Sequence, residues 1–467
     1  MKTYDLVVIG SGPAGQKAAI QAAKARASVL VVEYEPHVGG ACVHNGTVPS
    51  KALRETALSL SSFQRKSGSV FEVAVRDDLQ VSSLMLRLDA VIRAHQRYIS
   101  DQLRRNGIDV WRGKARFIAP LAIEVGGIDG TRQTAEGKNV VIATGSVPRT
   151  PPGIPIDHEH VLDSDSILSM EYLPGSLTVL GAGVIASEYA SIFAALGVRV
   201  TMIDQGPRPL GFFDAELVAR FVRYLESCKG RYIGESKVAR VEWDGLSEVV
   251  TELSNGETVK SEKLLCALGR VANLDGLDVE TAGLKRTPRG LLEVDAHCQT
   301  AVPHVYAVGD VIGPPSLAST SMEQGRRAAR HALGLPVPTA PEMIPLGIYT
   351  IPEMASVGLS EKEAIAANGS AIVGRAKFEE LARGQIAAIE DGLLKLVADP
   401  KGEKVLGVQI VGDGATELVH VGQIAMIGGL EVESFVDNIF NFPTLAEAYR
   451  VAALDVVRQR VSKSAGQ

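Results

Sequence analysis

Three groups of residues carry chemistry by their type and spacing. The first is Gly10-x-Gly12-x-x-Gly15, set between the apolar run Tyr4 to Gly10 and an alanine-rich stretch. Gly10 permits a tight turn, Gly12 lets a pyrophosphate approach the backbone, and Gly15 lets a helix lie against the strand with its N-terminus toward the phosphates. Glu33 closes a second apolar strand, Ser28 to Glu33, at the spacing of a carboxylate that binds ribose hydroxyls. The second group repeats the first as Gly181-x-Gly183-x-x-Ala186, with Asp204 ending the strand Arg199 to Asp204. Asp204 favours NAD(H), because a carboxylate repels a 2′-phosphate. Arg208, close behind, reads either as a partner for that phosphate or as a solvated surface cation. Together the two signals fit a site that accepts both nucleotides. The third group is Cys42, then Thr47, then Lys51. Threonine can neither close a disulfide with Cys42 nor lend thiolate charge to a neighbour.

Each glycine turn needs a strand before it and a helix after it. The pattern strand, glycine turn, alanine-rich helix, strand therefore occurs twice, as two βαβ units. The chain has 467 residues, which suggests roughly three domains. A proline-rich stretch, Ser146 to Asp157, reads as a linker, and a return is implied near Leu268 to Asn273. From about Pro336 the pattern changes to strands (Ile372 to Phe378, Leu393 to Val397, Val405 to Val411) and then helices (Glu417 to Met426, Ala446 to Val461). The expected fold is α/β, with two Rossmann-like dinucleotide-binding domains and a C-terminal α+β domain. The expected boundaries are 1–150 with 270–335, then 151–269, then 336–467.

Hydrophobic residues make up 46% and charged residues 22%, which reads as a soluble globular chain. A net charge of -6 gives no bulk electrostatic case for nucleic acid or an anionic membrane. No apolar run is long enough to span a bilayer, and the N-terminus runs straight into a strand, so a cytoplasmic location is expected. Cys42, Cys228, Cys266 and Cys298 are scattered, which argues against a zinc site or a disulfide framework, and no metal is expected. The last three cysteines read as structural, in helix- or strand-like contexts. His44 and His420 read as satisfied polar residues.

Three further segments make a resemblance specific. Ala143-Thr144-Gly145-Ser146-Val147-Pro148, Ala267-Leu268-Gly269-Arg270-Val271-Ala272-Asn273 and Tyr306-Ala307-Val308-Gly309-Asp310 occur in that order. They resemble the FAD and nicotinamide signatures of the two-dinucleotide flavoproteins, such as dihydrolipoamide dehydrogenase, glutathione reductase and mercuric reductase. Tyr349 to Gly358 resembles the start of their dimerisation domain. The resemblance covers nearly the whole chain. It implies FAD, NAD(H) and NADP(H) as cofactors and a homodimer or higher homo-oligomer. By the same resemblance Asp310 holds the flavin ribityl chain, and Lys51 and Glu188 pair beside flavin N5, where hydride arrives. Gly40, Cys42, Thr47, Ala115, Thr144, Gly145, Gly269 and Ala318 complete the cofactor contacts it implies.

Two departures bear on function. Thr47 stands where the disulfide reductases have their second cysteine. Phe442, in Asn441-Phe442-Pro443-Thr444-Leu445-Ala446-Glu447, stands where they have a proton-shuttling histidine. Losing thiol and base together is coherent, since the base has no work without the dithiol. Cys42 reads as a lone redox thiol or as a packing residue, and the lack of a partner at Thr47 favours packing. The simplest exit for hydride is then a second, oxidised nicotinamide. Cys-x-x-x-x-Thr, the aromatic before Pro-Thr, Ser187 to Phe193 and Ala446 to Leu454 are similar to the soluble pyridine nucleotide transhydrogenases. Ala186 and Asp204 depart from that pattern. The resemblance implies an NAD(P)⁺ transhydrogenase of the Si-specific type, working by ping-pong exchange through flavin N5. A quinone reductase or diaphorase of the same fold, and a slow redox-sensing flavoprotein, stay open.

Overall fold

Leu6, Val7 and Val8 of the first strand, Lys2–Ile9, are wholly buried, so both faces of the sheet must be covered. The computed structural model describes residues 1–67 and 81–465. In it this strand pairs in parallel with Val29–Glu33 on one side and Arg132–Ile142 on the other. Asp109–Arg112 and Val305–Ala307 extend the parallel sheet at its two sides. A hairpin, Lys114–Ala119 with Ala122–Gly126, adds antiparallel strands. The helix Pro13–Lys24 covers one face with Ala14, Ala18, Ala19 and Ala22. These small side chains admit the helix Ala318–Ala332 so closely that a Cβ on Gly325 would lie 2.0 Å from the Ala14 carbonyl oxygen.

The second sheet is parallel throughout, in the order Arg231–Ile233, Arg199–Ile203, Ser176–Leu180, Lys263–Cys266, Val161–Asp163. Asp204 lies just beyond its strand. The helix Ala215–Ser227 starts at Asp214, whose carboxylate accepts the amides of Glu216 at 2.9 Å and Leu217 at 3.3 Å. Its Leu217, Phe221 and Leu225 recur every four residues and are buried. They share a core with Ile348, Met354, Leu393 and Val411, which continues the second unit into the third.

The third sheet is antiparallel, in the order Leu346–Ile348, Met354–Gly358, Val405–Val411, Leu393–Ala398, Ile372–Lys377. The helices Ala415–Ile427 and Glu447–Ala465 share its core. The latter ends at Ala465, and residues 466–467 lie outside the described range.

The stretch expected as linker begins as a strand. Ser146–Pro148 pairs antiparallel with Arg270–Ala272 in a two-stranded ribbon. Such a ribbon has free edges, where a proline removes no ladder bond. Cys298 also differs from expectation. It is buried in a turn rather than a helix or strand, with φ of 63° and its amide bonded to the Asp295 carbonyl. Among the described residues no helix is long and apolar enough to cross a membrane.

Candidate functional site

The first glycine turn packs as the spacing requires. A Cβ on Gly15 would sit 2.0 Å from the Gly10 carbonyl oxygen, so helix and turn are in contact. Gly40 brings its loop onto the turn, because a Cβ there would meet Gly12 Cα at 2.8 Å. Gly12 itself opens into space at the N-terminus of the helix Pro13–Lys24. Glu33 is buried, and its Oε2 accepts the Ser11 amide at 2.9 Å and the Ser11 hydroxyl. Its Oε1 takes the Glu35 amide at 2.9 Å. Thr144 follows the strand Arg132–Ile142, and its hydroxyl is buried without a partner. An open glycine turn, a helix N-terminus, a buried acid and an orphaned hydroxyl together fit a dinucleotide. Gly145 adopts a positive φ beside Thr144. Ala115 lies in the hairpin, in one core with Ile9 and Val32. Ala318 opens its helix, and Asp310 sits in the 3-10 turn Gly309–Ile312, accepting from Ser146 Oγ at 2.6 Å.

The helix Thr47–Ser67 carries Lys51 to Glu188, on the helix Val184–Ala195 of the second unit. Lys51 Nζ donates to Glu188 Oε2 at 2.7 Å, and the Tyr349 amide donates to Oε1 at 2.9 Å. The Glu188 side chain is 6% exposed and that of Lys51 25%. The Lys51 ammonium also lies 4.8 Å from the centroid of the Tyr349 ring. Below this pair, Arg54 Nε donates to the Thr350 carbonyl at 3.0 Å, and its guanidinium meets buried Glu353 at 3.4 Å. Ser191 Oγ accepts the Ile351 amide at 3.0 Å. Three segments remote in sequence therefore converge on one ion pair. Tyr349, Arg54 and Ser191 escaped the sequence reading. The Tyr349 motif was visible only as the start of a domain, and a backbone amide leaves no mark in a sequence.

All four cysteines are free. Cys42 is partly buried, with the Thr47 hydroxyl and the Lys51 ammonium near its thiol. Burial pushes its thiol above the ordinary value, although the Thr47 hydroxyl and the Lys51 charge pull the other way. It is a neutral thiol near pH 7.

The second glycine turn lines a cavity of about 390 Å³ with Gly181, Gly183, Asp204 and Gly269, and Ser164 stands at its wall. Gly183 is open to it, and buried Ala186 packs its methyl where the first copy has Gly15. Asp204 Oδ1 holds the Gly206 amide at 2.7 Å. Arg208 turns back on its own loop, donating to the carbonyls of Gly211 and Phe213 at 2.9 Å each.

Two sheets with parallel cores, each with a glycine turn feeding a helix N-terminus, joined to an antiparallel sheet that reaches back to their shared ion pair, define a two-dinucleotide oxidoreductase fold. Residues 4–325 match the family model for pyridine nucleotide-disulphide oxidoreductase, and residues 344–453 match that family's dimerisation domain. The soluble pyridine nucleotide transhydrogenase of Mycobacterium bovis is 45% identical over 462 residues, covering 98% of each chain. The protein of that name from Yersinia enterocolitica is 41% identical over 456 residues, covering 97% of each. Among solved structures, LpdA from Mycobacterium tuberculosis superposes with a TM-score of 0.88 at 27% identity, over 97% of this chain and 99% of that one. The HOCl-induced flavoprotein disulfide reductase RclA from Escherichia coli gives 0.87 at 26% identity, over 97% and 99%. The chain belongs to the pyridine nucleotide-disulphide oxidoreductase family and, within it, to the soluble pyridine nucleotide transhydrogenases. Members of this family use FAD and NAD(P)(H).

Proposed function

We propose that the chain is an FAD-dependent transhydrogenase of the Si-specific type, moving hydride between NADPH and NAD⁺ in a ping-pong cycle. The observation that carries this reading is the free Cys42, with Thr47 in place of a second thiol, near the Lys51–Glu188 pair. When bound, FAD would supply an isoalloxazine able to take hydride from one nicotinamide and return it to another at N5. Gly10, Gly12, Gly15 and Gly40 would hold its pyrophosphate, Glu33 its ribose and Asp310 its ribityl chain. Ala115, Thr144, Gly145 and Ala318 would line the rest. Lys51, fixed by Glu188, would set a positive charge where hydride arrives. Gly181, Gly183, Ala186, Asp204 and Gly269 would take the nicotinamide nucleotides in turn, with Arg208 shaping the loop. Hydride exchange needs no side-chain proton relay, which agrees with Phe442 in place of a base. The same reading assigns residues 1–150 and 270–335 to FAD, 151–269 to NAD(P) and 336–467 to a homodimer contact.

The test is reduction of thionicotinamide-NAD⁺ by NADPH on the purified holoprotein. Saturable turnover with parallel lines in double-reciprocal plots is expected. If the reduced flavin is reoxidised by menadione or oxygen but not by the NAD⁺ analogue, the reading fails.

A further inference from the structure

Between the two nucleotide sites the chain crosses twice, and both crossings lie in the ribbon of Ser146–Pro148 and Arg270–Ala272. Arg270 sits in that ribbon and bonds to both sides of it. Toward the first unit, Arg270 Nε donates to Ser146 Oγ at 2.9 Å and an Nη donates to the Ser146 carbonyl at 2.7 Å. The same Ser146 hydroxyl donates to Asp310 Oδ2 at 2.6 Å, so one oxygen accepts from Arg270 and gives to Asp310. Toward the second unit, the other Nη donates to Ser164 Oγ at 3.0 Å and Asp165 Oδ1 at 3.2 Å. Ser164 lines the cavity of the second glycine turn, and so does Gly269, the residue before Arg270. An unbroken chain of hydrogen bonds thus runs from Asp310 through Ser146 and Arg270 to the cavity wall. A guanidinium suits this place because its donors are fixed in one plane.

We propose that Arg270 is a positioning residue: a strut that sets the spacing between the two nucleotide sites and so the approach of the nicotinamide to the flavin. It rests on the proposed reading of Asp310 as the flavin-side acid and of the cavity as the nicotinamide nucleotide site. The strut acts on orientation and leaves the binding contacts of each nucleotide in place. Its loss therefore lowers the rate at saturation and spares affinity, as expected when reacting groups are displaced by about an ångström.

The test compares Arg270→Met, Arg270→Lys and Ser164→Ala holoproteins with the wild type. The readouts are FAD per chain, NAD⁺ affinity from flavin fluorescence, flavin bleaching at saturating NADH, and amide exchange at Arg149 and Asn273 beside the ribbon. In Arg270→Met, FAD content stays unchanged, NAD⁺ affinity holds within about threefold, and saturating bleaching falls about 100-fold. Ribbon amides exchange faster. Arg270→Lys recovers part of the rate, and Ser164→Ala, which removes one contact outside the ribbon, loses about fivefold. Bleaching in both Arg270→Met and Ser164→Ala within threefold of wild type would overturn the strut, and so would a rate loss matched by loss of FAD. A wild type that holds FAD but is not bleached by NADH would overturn the functional reading itself, and the strut with it.

Discussion

Glu188 is a buried carboxylate held by one ammonium and one backbone amide. Removing Lys51 leaves that charge with Tyr349 alone and, in the proposed cycle, takes the positive charge from where hydride would arrive. Lys51→Met should slow flavin reduction at saturating NADH by about 100-fold while FAD stays bound, as stopped-flow absorbance will show. Cys42 makes the opposite prediction. Since it carries no electrons in the proposed cycle, Cys42→Ala should keep nucleotide-to-nucleotide exchange within about threefold of wild type. Burial raises the Cys42 pKa above its unfolded value, so its stabilising contribution is intact below the ordinary thiol range and lost as pH climbs through the raised value. The gap in Tm between wild type and Cys42→Ala should therefore narrow between pH 7 and pH 10. Lys51, Glu188 and Thr47 were legible in the sequence because motif frames mark them. Arg208 was legible only as a charge near Asp204. Where it points is decided by the carbonyls of its own turn, which spacing does not encode.

At the scale of elements, the loop from Asp204 to Asp214 joins a strand end at the cavity to a helix docked on the third sheet. Asp204 faces the cavity, so Asp204→Ser should raise kcat/KM for NADPH relative to NADH by about tenfold. Arg208→Gln should weaken both nucleotides alike, because the side chain clasps the loop. A selective loss of NADPH would instead make it a phosphate ligand. At the far end, Lys395 is 2% exposed and donates to Asp214 at 2.8 Å, meeting Glu361 at 2.9 Å and Glu216 at 3.2 Å. Burial opposes its charge, but the Asp214 and Glu361 carboxylates outweigh that and keep it cationic. Lys395→Met strands those carboxylates and should cost about 3–5 kcal/mol, read from urea unfolding. The strands expected from apolar runs fall within two residues of those in the structure, whereas the hairpin Lys114–Ala119 with Ala122–Gly126, whose first strand alternates buried and exposed residues, was not expected. The Asp214–Lys395 contact was not legible either, because nothing local announces a pairing across 181 positions.

For the whole molecule, Val421, Ile424 and Ile427 line one face of the helix Ala415–Ile427, with Ile424 65% and Ile427 61% exposed. These residues lie in the matched dimerisation domain. A homodimer that covers this face should sediment at twice the chain mass, and Ile427→Lys should shift it toward monomer at micromolar concentration. The order of the three largest sheets could be expected from the motifs. What the motifs withheld was that the sheets meet at one ion pair and are braced at one ribbon.

That ribbon has a consequence for modularity. Arg149 and Gly269 are joined by a hydrogen bond of 3.0 Å, so everything between them leaves and re-enters the molecule at a single point. The middle segment is in effect a guest with adjoining ends, grafted into a host that regains its strand Val305–Ala307 only after the guest is complete. A short glycine bridge in place of the guest should leave the host able to take up a yellow prosthetic group, whereas stopping the chain at residue 150 should not.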